Sequence, residues 1–418
     1  MSSLDAVVRG GLCTGCGACA YLQPAEIVMA DVPDSGRRPQ ARAGAAAPLQ
    51  DGDGIKACPG ASLEHDYDRH DPALQPELMA GWGPVRTIFE GYSSDPQLRL
   101  GGSSGGAASA LALYALEAQG FQGVLHTGAR EDIPYLNETV VSRTRHDLMR
   151  RTGSRYAPAS PCDGLGEIER GNGSWMLIAK PCDVAAAQRA RKLRSGLDRN
   201  LAITVGFFCA GTPSTAGTLA MLAAMGVKDP ATLVSLRYRG NGWPGMAAAH
   251  WRNADGSEGH GELTYKQSWG SILSKHVQWR CRLCADHTGE FADIAVGDPW
   301  YRAIQPGEAG SSLIVARTEK GVRFVNEAIA KGYLVASVVD PKLLPASQPS
   351  LLKTRGAMWG RIAGIRLVGG RGPRYVRLPT FRFWLRELSL KEKFVSVAGT
   401  IRRYFAKRMH PLQRRLRT

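Results

Sequence analysis

Residues 175–225 read WMLIAKPCDVAAAQRARKLRSGLDRNLAITVGFFCAGTPSTAGTLAMLAAM. Two short apolar runs, WMLIA (175–179) and LAITVGFF (201–208), each lead through a brief turn into a longer stretch of helix formers, 184–193 and 214–225. Apolar runs of this length suit strands covered on both faces, and the stretches between them suit the covering helices. The repetition predicts an α/β core on a partly parallel sheet. Working outward, Ala107–Gln119 reads as a helix, GVLHT (123–127) as a strand, and SLIVART (312–318) as a strand followed by a helix over 321–331. VSLRYRG (234–240) and GELTYK (261–266) suggest antiparallel strands, which makes the class α/β with an α+β-like mixed sheet.

The 418 residues, 44% of them apolar, suffice for a large core and two or three domains. A loop-rich module over 1–75, a core over 76–350 and a tail over 351–418 are the expected units. The Asp/Pro/Gly-rich segment 66–84 reads as a linker. No apolar run reaches the ~18–20 residues of a membrane span. The opening Met1-Ser-Ser-Leu-Asp5 carries an acid and no basic n-region, which argues against a secretory signal and for the cytoplasm. The net charge of +16 lies entirely in residues 351–418, with 18 Lys/Arg against two acids; the other 350 residues balance at 35 and 35. Nucleic acid is therefore a disfavoured partner.

In the cytoplasm, cysteines are ligands more often than disulfides. Cys13, Cys16 and Cys19 form C-x2-C-x2-C on a Gly-rich turn, and Cys58-Pro59 follows after a gap of 38 residues. Three evenly spaced thiolates with a remote Cys-Pro suit one [4Fe–4S] cubane, and structural zinc has no place for the third cysteine. Cys281 and Cys284 form a second C-x2-C that needs partners. Cys182 and Cys209 each follow a strand, and adjacent parallel strands would bring them together at the carboxyl edge of the sheet. The opposing reading makes these two ordinary buried cysteines. Cys162, in Pro161-Cys162-Asp163, echoes Pro181-Cys182-Asp183 and is the alternative to Cys182 as a ligand.

The stretch LRLGGSSGGAASALALYALEAQG opens a helix with Gly101, Gly102, Gly105 and Gly106 around Ser103 and Ser104. Small residues and free N–H groups at a helix start suit phosphate or the polar edge of a cofactor, and equally an unliganded Gly/Ser cap. Asp298 reads as a proton relay or a turn cap, and Trp243 as a stacking platform or a buried turn residue. His276 and His287 flank the second cysteine pair and read as surface residues; no catalytic acid is evident.

These motifs, LCTGCGACA with ACPG, GGSSGGAASALALYALE, GSRYAP, AKPCDVAAAQ, GFFCAGTPS, RYRGNGWPG, RCRLCADHTGEFADIAVGDPW and SSLIVART, resemble in order and spacing the beta subunit of coenzyme F420-reducing hydrogenase and its relatives, over about residues 8–325. Those relatives include formate dehydrogenase beta-type subunits, 7-hydroxymethyl chlorophyll a reductase and divinyl chlorophyllide 8-vinyl reductase. The resemblance implies an α/β flavoprotein core with a small N-terminal ferredoxin-like iron–sulfur module. It implies FAD and two [4Fe–4S] clusters, with electrons drawn from ferredoxin, reduced coenzyme F420 or NAD(P)H and passed to or from a small-molecule substrate. It places Gly102, Ser103, Ser104, Gly105, Gly106, Ser154, Arg155 and Tyr156 at the flavin, and Cys182, Cys209, Cys281 and Cys284 at the inner cluster. Lys180 departs from the small residue or Thr that relatives carry before Pro-Cys. A second reading makes the chain an electron-transfer subunit without a substrate of its own.

In the tail, Phe381, Trp384, Leu385, Leu388, Phe394, Val395, Ala398, Ile401 and Phe405 recur mostly at spacings of three or four among Arg and Lys, and Gly399 is the point where a helix would kink. Such a basic amphipathic helix suits an anionic membrane surface, here the inner face, or docking on the body with a solvated basic side.

Overall fold

The computed structural model describes residues 3–407 apart from 33, 46–48, 50, 51 and 306, so the last part of the basic tail, 408–418, lies outside the described residues. The apolar runs form the middle of an eight-stranded sheet. Its strands are β1 (Thr87–Ser93), β2 (Gly123–Ala129), β3 (Asn137–Ser142), β4 (Trp175–Ala179), β5 (Leu201–Phe207), β6 (Ile294–Gly297), β7 (Ser312–Ala316) and β8 (Leu334–Val338), in the order β8-β1-β7-β6-β5-β4-β2-β3. The block β6-β5-β4-β2 is parallel, and the outer pairings are antiparallel.

Every residue of β4 is buried, as the run WMLIA required. Met176 and Ile178 face one layer, where α1 (Ala107–Glu117) and α4 (Glu319–Ala330) supply Leu111, Tyr114, Phe324 and Val325. Trp175, Leu177 and Ala179 face the other, against α2 (Pro181–Arg191) and residues 16–22 of the N-terminal module. Burying each large apolar side chain contributes roughly 1.5–3 kcal/mol, so both faces of this one strand are anchored. The expected antiparallel strands form a separate three-stranded sheet (Leu233–Arg237, Ala247–Arg252, Glu258–Leu263) packed on α3 (Thr215–Ala224).

Segment 66–84 is not a plain linker. It holds a helix, Pro76–Trp82, whose Leu78 and Trp82 are buried against β6 and β7 residues. Residues 351–407 fold as α5 (Leu351–Leu367), α6 (Phe381–Glu387) and α7 (Leu390–Ala406). The break falls at Leu388–Ser389, because Ser389 and Glu392 form a capping box there; Gly399 stays inside α7. On α5, Gly356, Gly360 and Gly364 lie four apart, and an added Cβ would meet Trp384 N at 2.7 Å, Ser396 Oγ at 2.0 Å and Val397 O at 2.8 Å. Those glycines let α6 and α7 approach closely.

The tail is also tied to the start of the chain. Arg374–Val376 pairs in parallel with Ser62–Glu64. Below it, the buried Glu290 carboxylate joins Arg355 of α5 to His65 Nε2 at 2.7 Å. None of the described helices is long and apolar enough to cross a membrane.

Candidate functional site

Cys13, Cys16, Cys19 and Cys58 line one pocket of about 340 Å³, walled otherwise by Leu4, Val7, Val8 and Met29. The C-x2-C-x2-C turn is shaped by Gly15 and Gly17, both at positive φ, and Gly15 N–H donates to Cys13 Sγ at 3.4 Å. Burial pushes the Cys16 thiol up to about 12 and Cys58 to about 11, and neighbouring cysteines push the same way. Without a cation these thiols hold their protons, and a bound metal ion supplies the compensating charge.

Parallel pairing of β4 and β5 sets Cys182 and Cys209 at neighbouring carboxyl ends. The turn after Cys209 then lies against the second pair: Thr212 N–H donates to Cys281 Sγ at 3.3 Å, Gln278 N–H to Thr212 O at 3.1 Å, and Pro213 bridges to Val277. The four thiols influence one another electrostatically, and burial pushes Cys209 to about 12 and Cys284 to about 11. Among the described residues neither group is drawn into a closed metal-ligating set of three or more. Four thiols with no carboxylate or imidazole among them are the donor type that suits a cubane.

Cys162 sits between the groups. Its N–H donates to Cys16 O at 2.9 Å, and its Sγ contacts Asp183 O at 3.2 Å. Lys180 lies in the same layer, partly buried, with Nζ 2.6 Å from both Asp183 oxygens and 3.2 Å from Ala159 O. Burial pushes the Asp183 carboxyl up to about 6, against the pull of Lys180. The departure Lys180 is thus accommodated by an acid three residues on, and the pair interacts with Cys16 on one side and Cys182 on the other.

The glycine-rich segment and residues 153–156 meet, with Ser154 N–H donating to Ser103 Oγ at 3.1 Å. Gly105 and Gly106 take positive φ, and added Cβ atoms there would strike Gly310 O at 2.8 Å and Leu98 O at 2.3 Å. These glycines serve close backbone packing. Gly106 caps α1 without a side chain, so the first N–H groups of α1 have no side-chain acceptor and suit a phosphate-bearing group such as FAD. Arg155 is spent elsewhere, on Asn137 Oδ1 and the carbonyls of Pro134, Leu136 and Leu236. Tyr156 packs on Trp269 at 5.2 Å and lies close enough to Arg239 to favour its charge. Asp298 ends β6 in a forked pair with buried Arg239 and accepts from Trp243 Nε1 at 2.7 Å, so both read as members of a fixed network and not as a free relay and an open platform.

His287 is the residue the sequence misplaced. It is not at the surface: Nδ1 is 2.9 Å from Cys209 O, burial pushes its pKa down, and Nε2 is buried without a partner. Its place three residues after Cys284 was the available signal.

Comparison with known proteins follows this geometry. Residues 88–165 match the model of the coenzyme F420 hydrogenase/dehydrogenase beta subunit N-terminus and residues 174–342 that of its C-terminus. The chain is 23% identical over 263 residues to coenzyme F420 hydrogenase subunit beta of Methanococcus voltae, covering 62% of this chain and 86% of that protein. It is 25% identical over 251 residues to an F420-dependent formate dehydrogenase 1 subunit beta of Methanococcus maripaludis, covering 60% and 61%. A chain of the F420-reducing [NiFe] hydrogenase complex from Methanosarcina barkeri shares the fold, with a TM-score of 0.52 at 22% identity, over 73% of this chain and 98% of that one. The two matched segments carry the sheet, the glycine-rich turn and the inner cysteines, and the chain belongs to the coenzyme F420 hydrogenase/dehydrogenase beta subunit family.

Proposed function

We propose that this chain is an oxidoreductase component that carries electrons through two [4Fe–4S] clusters and an FAD to or from a small-molecule substrate. Cys13, Cys16, Cys19 and Cys58 would hold the outer cluster, and Cys182, Cys209, Cys281 and Cys284 the inner one. Gly102, Ser103, Ser104, Gly105, Gly106, Ser154 and Tyr156 would seat the flavin, with Arg155 positioning the loops behind it. The observation that supports the reading is that Cys13, Cys16, Cys19 and Cys58 line one pocket, while Cys209, Cys281 and Cys284 act on one another electrostatically and Cys209 and Cys284 act on Cys182. When bound, the clusters supply single electrons and the flavin couples them to two-electron chemistry.

The chain's own residues set the conditions for this. Apolar walls exclude water from the outer pocket, which raises the cost of charge there and makes the thiolates depend on bound cations. Lys180 places a positive charge within reach of Cys16 and Cys182, favouring the charged form of both. His287 donates Nδ1–H to the Cys209 carbonyl, and burial favours the neutral ring, whose Nε2 is left as an acceptor. Ferredoxin, reduced coenzyme F420 and NAD(P)H are the candidate donors. Anaerobic reduction of the purified chain by each in turn, followed at the flavin band, identifies the donor; bleaching by none of them would reject the reading.

The second reading, a subunit that passes electrons to a catalytic partner, draws support from relatives that are themselves named as subunits. Substrate turnover by the isolated chain would exclude it. We further infer a peripheral position on the inner membrane face. Leu390 and Phe394 of α7 are 84% and 71% exposed, on a helix whose buried residues are Ser396, Thr400 and Tyr404, and the surrounding tail is strongly basic.

A further inference from the structure

Outside both thiol groups, a small pocket opens where the Trp279–Leu283 turn meets α5 and α7. It is lined by Arg282, Arg361, Arg403, Thr400, Trp279 and Leu283. No acid lines it. The hydrogen bonds of the three arginines go to neutral acceptors: Arg361 to Arg282 O at 2.7 Å and Met358 Sδ at 3.9 Å, Arg282 to Ser274 O at 3.2 Å, and Arg403 to Thr400 Oγ1 at 3.2 Å. Three guanidinium groups therefore share one cavity without a carboxylate among the described residues to balance them. Trp279 is 7% exposed, and its Nε1 is buried without a hydrogen-bond partner.

Like charges gathered this way repel, and a buried donor without an acceptor is costly. The strain shows on Arg361, which burial, then Arg403 and Arg282, push down to about 10. A single group that brings several acceptor oxygens and negative charge resolves both problems. Guanidinium forks match tetrahedral oxyanions in geometry, and a Thr hydroxyl and an indole N–H add neutral donors.

We propose that Arg282, Arg361, Arg403, Thr400 and Trp279 form a binding site for the phosphate group of a ligand. The site is separate from the glycine-rich turn. Two of its walls, α5 and α7, lie beyond residue 342, where the family match ends, so the site belongs to this chain's C-terminal helices. Arg282 lies in the turn that carries Cys281 and Cys284, so the site joins that turn to the C-terminal helices and fits a phosphorylated redox partner or substrate. An anionic lipid headgroup presents the same chemistry.

The test uses the full chain and sodium phosphate against sodium chloride at matched ionic strength, read by calorimetric titration and thermal unfolding. Phosphate should bind saturably and stabilise the protein where chloride does not. R403Q should weaken phosphate binding about tenfold, one charge-assisted contact's worth, with no loss of stability in chloride, since it relieves repulsion. R403K should recover part of the loss, and R361Q should reproduce it. Equal responses to phosphate and chloride, or phosphate affinity unchanged in both Gln variants, would overturn the site. A second arm adds phosphatidylglycerol vesicles. Vesicle binding displaced by free phosphate and weakened by R403Q assigns the pocket to a lipid headgroup; vesicle binding indifferent to phosphate assigns it to a soluble ligand.

Discussion

Substituting Glu290 by Gln removes one negative charge from the junction of the N-terminal module, the sheet and the tail. Glu290 and Arg355 are each 1% exposed at their side chains. The carboxylate also takes His65 Nε2 at 2.7 Å, with His65 stacked on Phe291. Burial pushes this carboxyl up, but Arg355 and His65 outweigh burial and hold it at about 2. Gln keeps the shape and leaves Arg355 buried without its counter-ion, a loss of about 3–5 kcal/mol. That is a large fraction of the 5–15 kcal/mol that domains typically possess, and urea unfolding followed by circular dichroism should register it. The double variant E290Q/R355M, which leaves only Arg317 to be balanced by Asp286, should recover part of the loss. The pH dependence has a definite sign. A carboxyl at about 2 when folded and 4.5 when unfolded stabilises fully above 4.5, and that contribution fades as pH falls from 4.5 to 2. E290Q should flatten the acid limb over that window. A single variant within about 1 kcal/mol of the parent would refute the network as the lock.

Purified anaerobically, the chain should carry about eight irons with acid-labile sulfide and release FAD, and C16A should lose about four irons while keeping flavin; absence of sulfide and flavin together would reject both sites. His126 is pushed down to about 4 by burial and bonds to Ser142 at 2.8 Å, so its contribution is intact above 6.5 and fades from 6.5 to 4. H126Q should lose that slope in a pH series of unfolding midpoints. The full chain should sediment with anionic liposomes at low salt and be released at high salt, and L390S/F394S should weaken this. Equal sedimentation of both proteins would reject the membrane surface.

The sequence was readable wherever one period or one spacing determined the outcome. WMLIA and LAITVGFF became β4 and β5 because fully apolar runs have nowhere to go but the sheet centre, and their parallel pairing placed Cys182 beside Cys209 as the strand–turn–helix pattern implied. The tail was readable in its helicity but not in its orientation. Its aromatic spacing suggested one interrupted helix, whereas the Gly356/Gly360/Gly364 row on α5, which carries no hydrophobic signal, decides what packs on it. So α7 buries Ser396 and Thr400 and leaves Leu390 and Phe394 outside. His287 and Lys180 were opaque for a different reason. Their settings depend on Cys209 O and Asp183, and burial of a polar group beside a partner has no period in the sequence.

The pairing of Ser62–Glu64 with Arg374–Val376 has a consequence for biogenesis. About 310 residues separate Glu64 from Arg374, so at the usual ~5–20 residues per second a ribosome spends roughly 15–60 s between making the two partners. Throughout that interval Ser62–Glu64, four residues after Cys58, is a strand whose partner has not been synthesised. A chain terminated before Arg374 never acquires that partner, and its unpaired edge is a template for pairing with another chain.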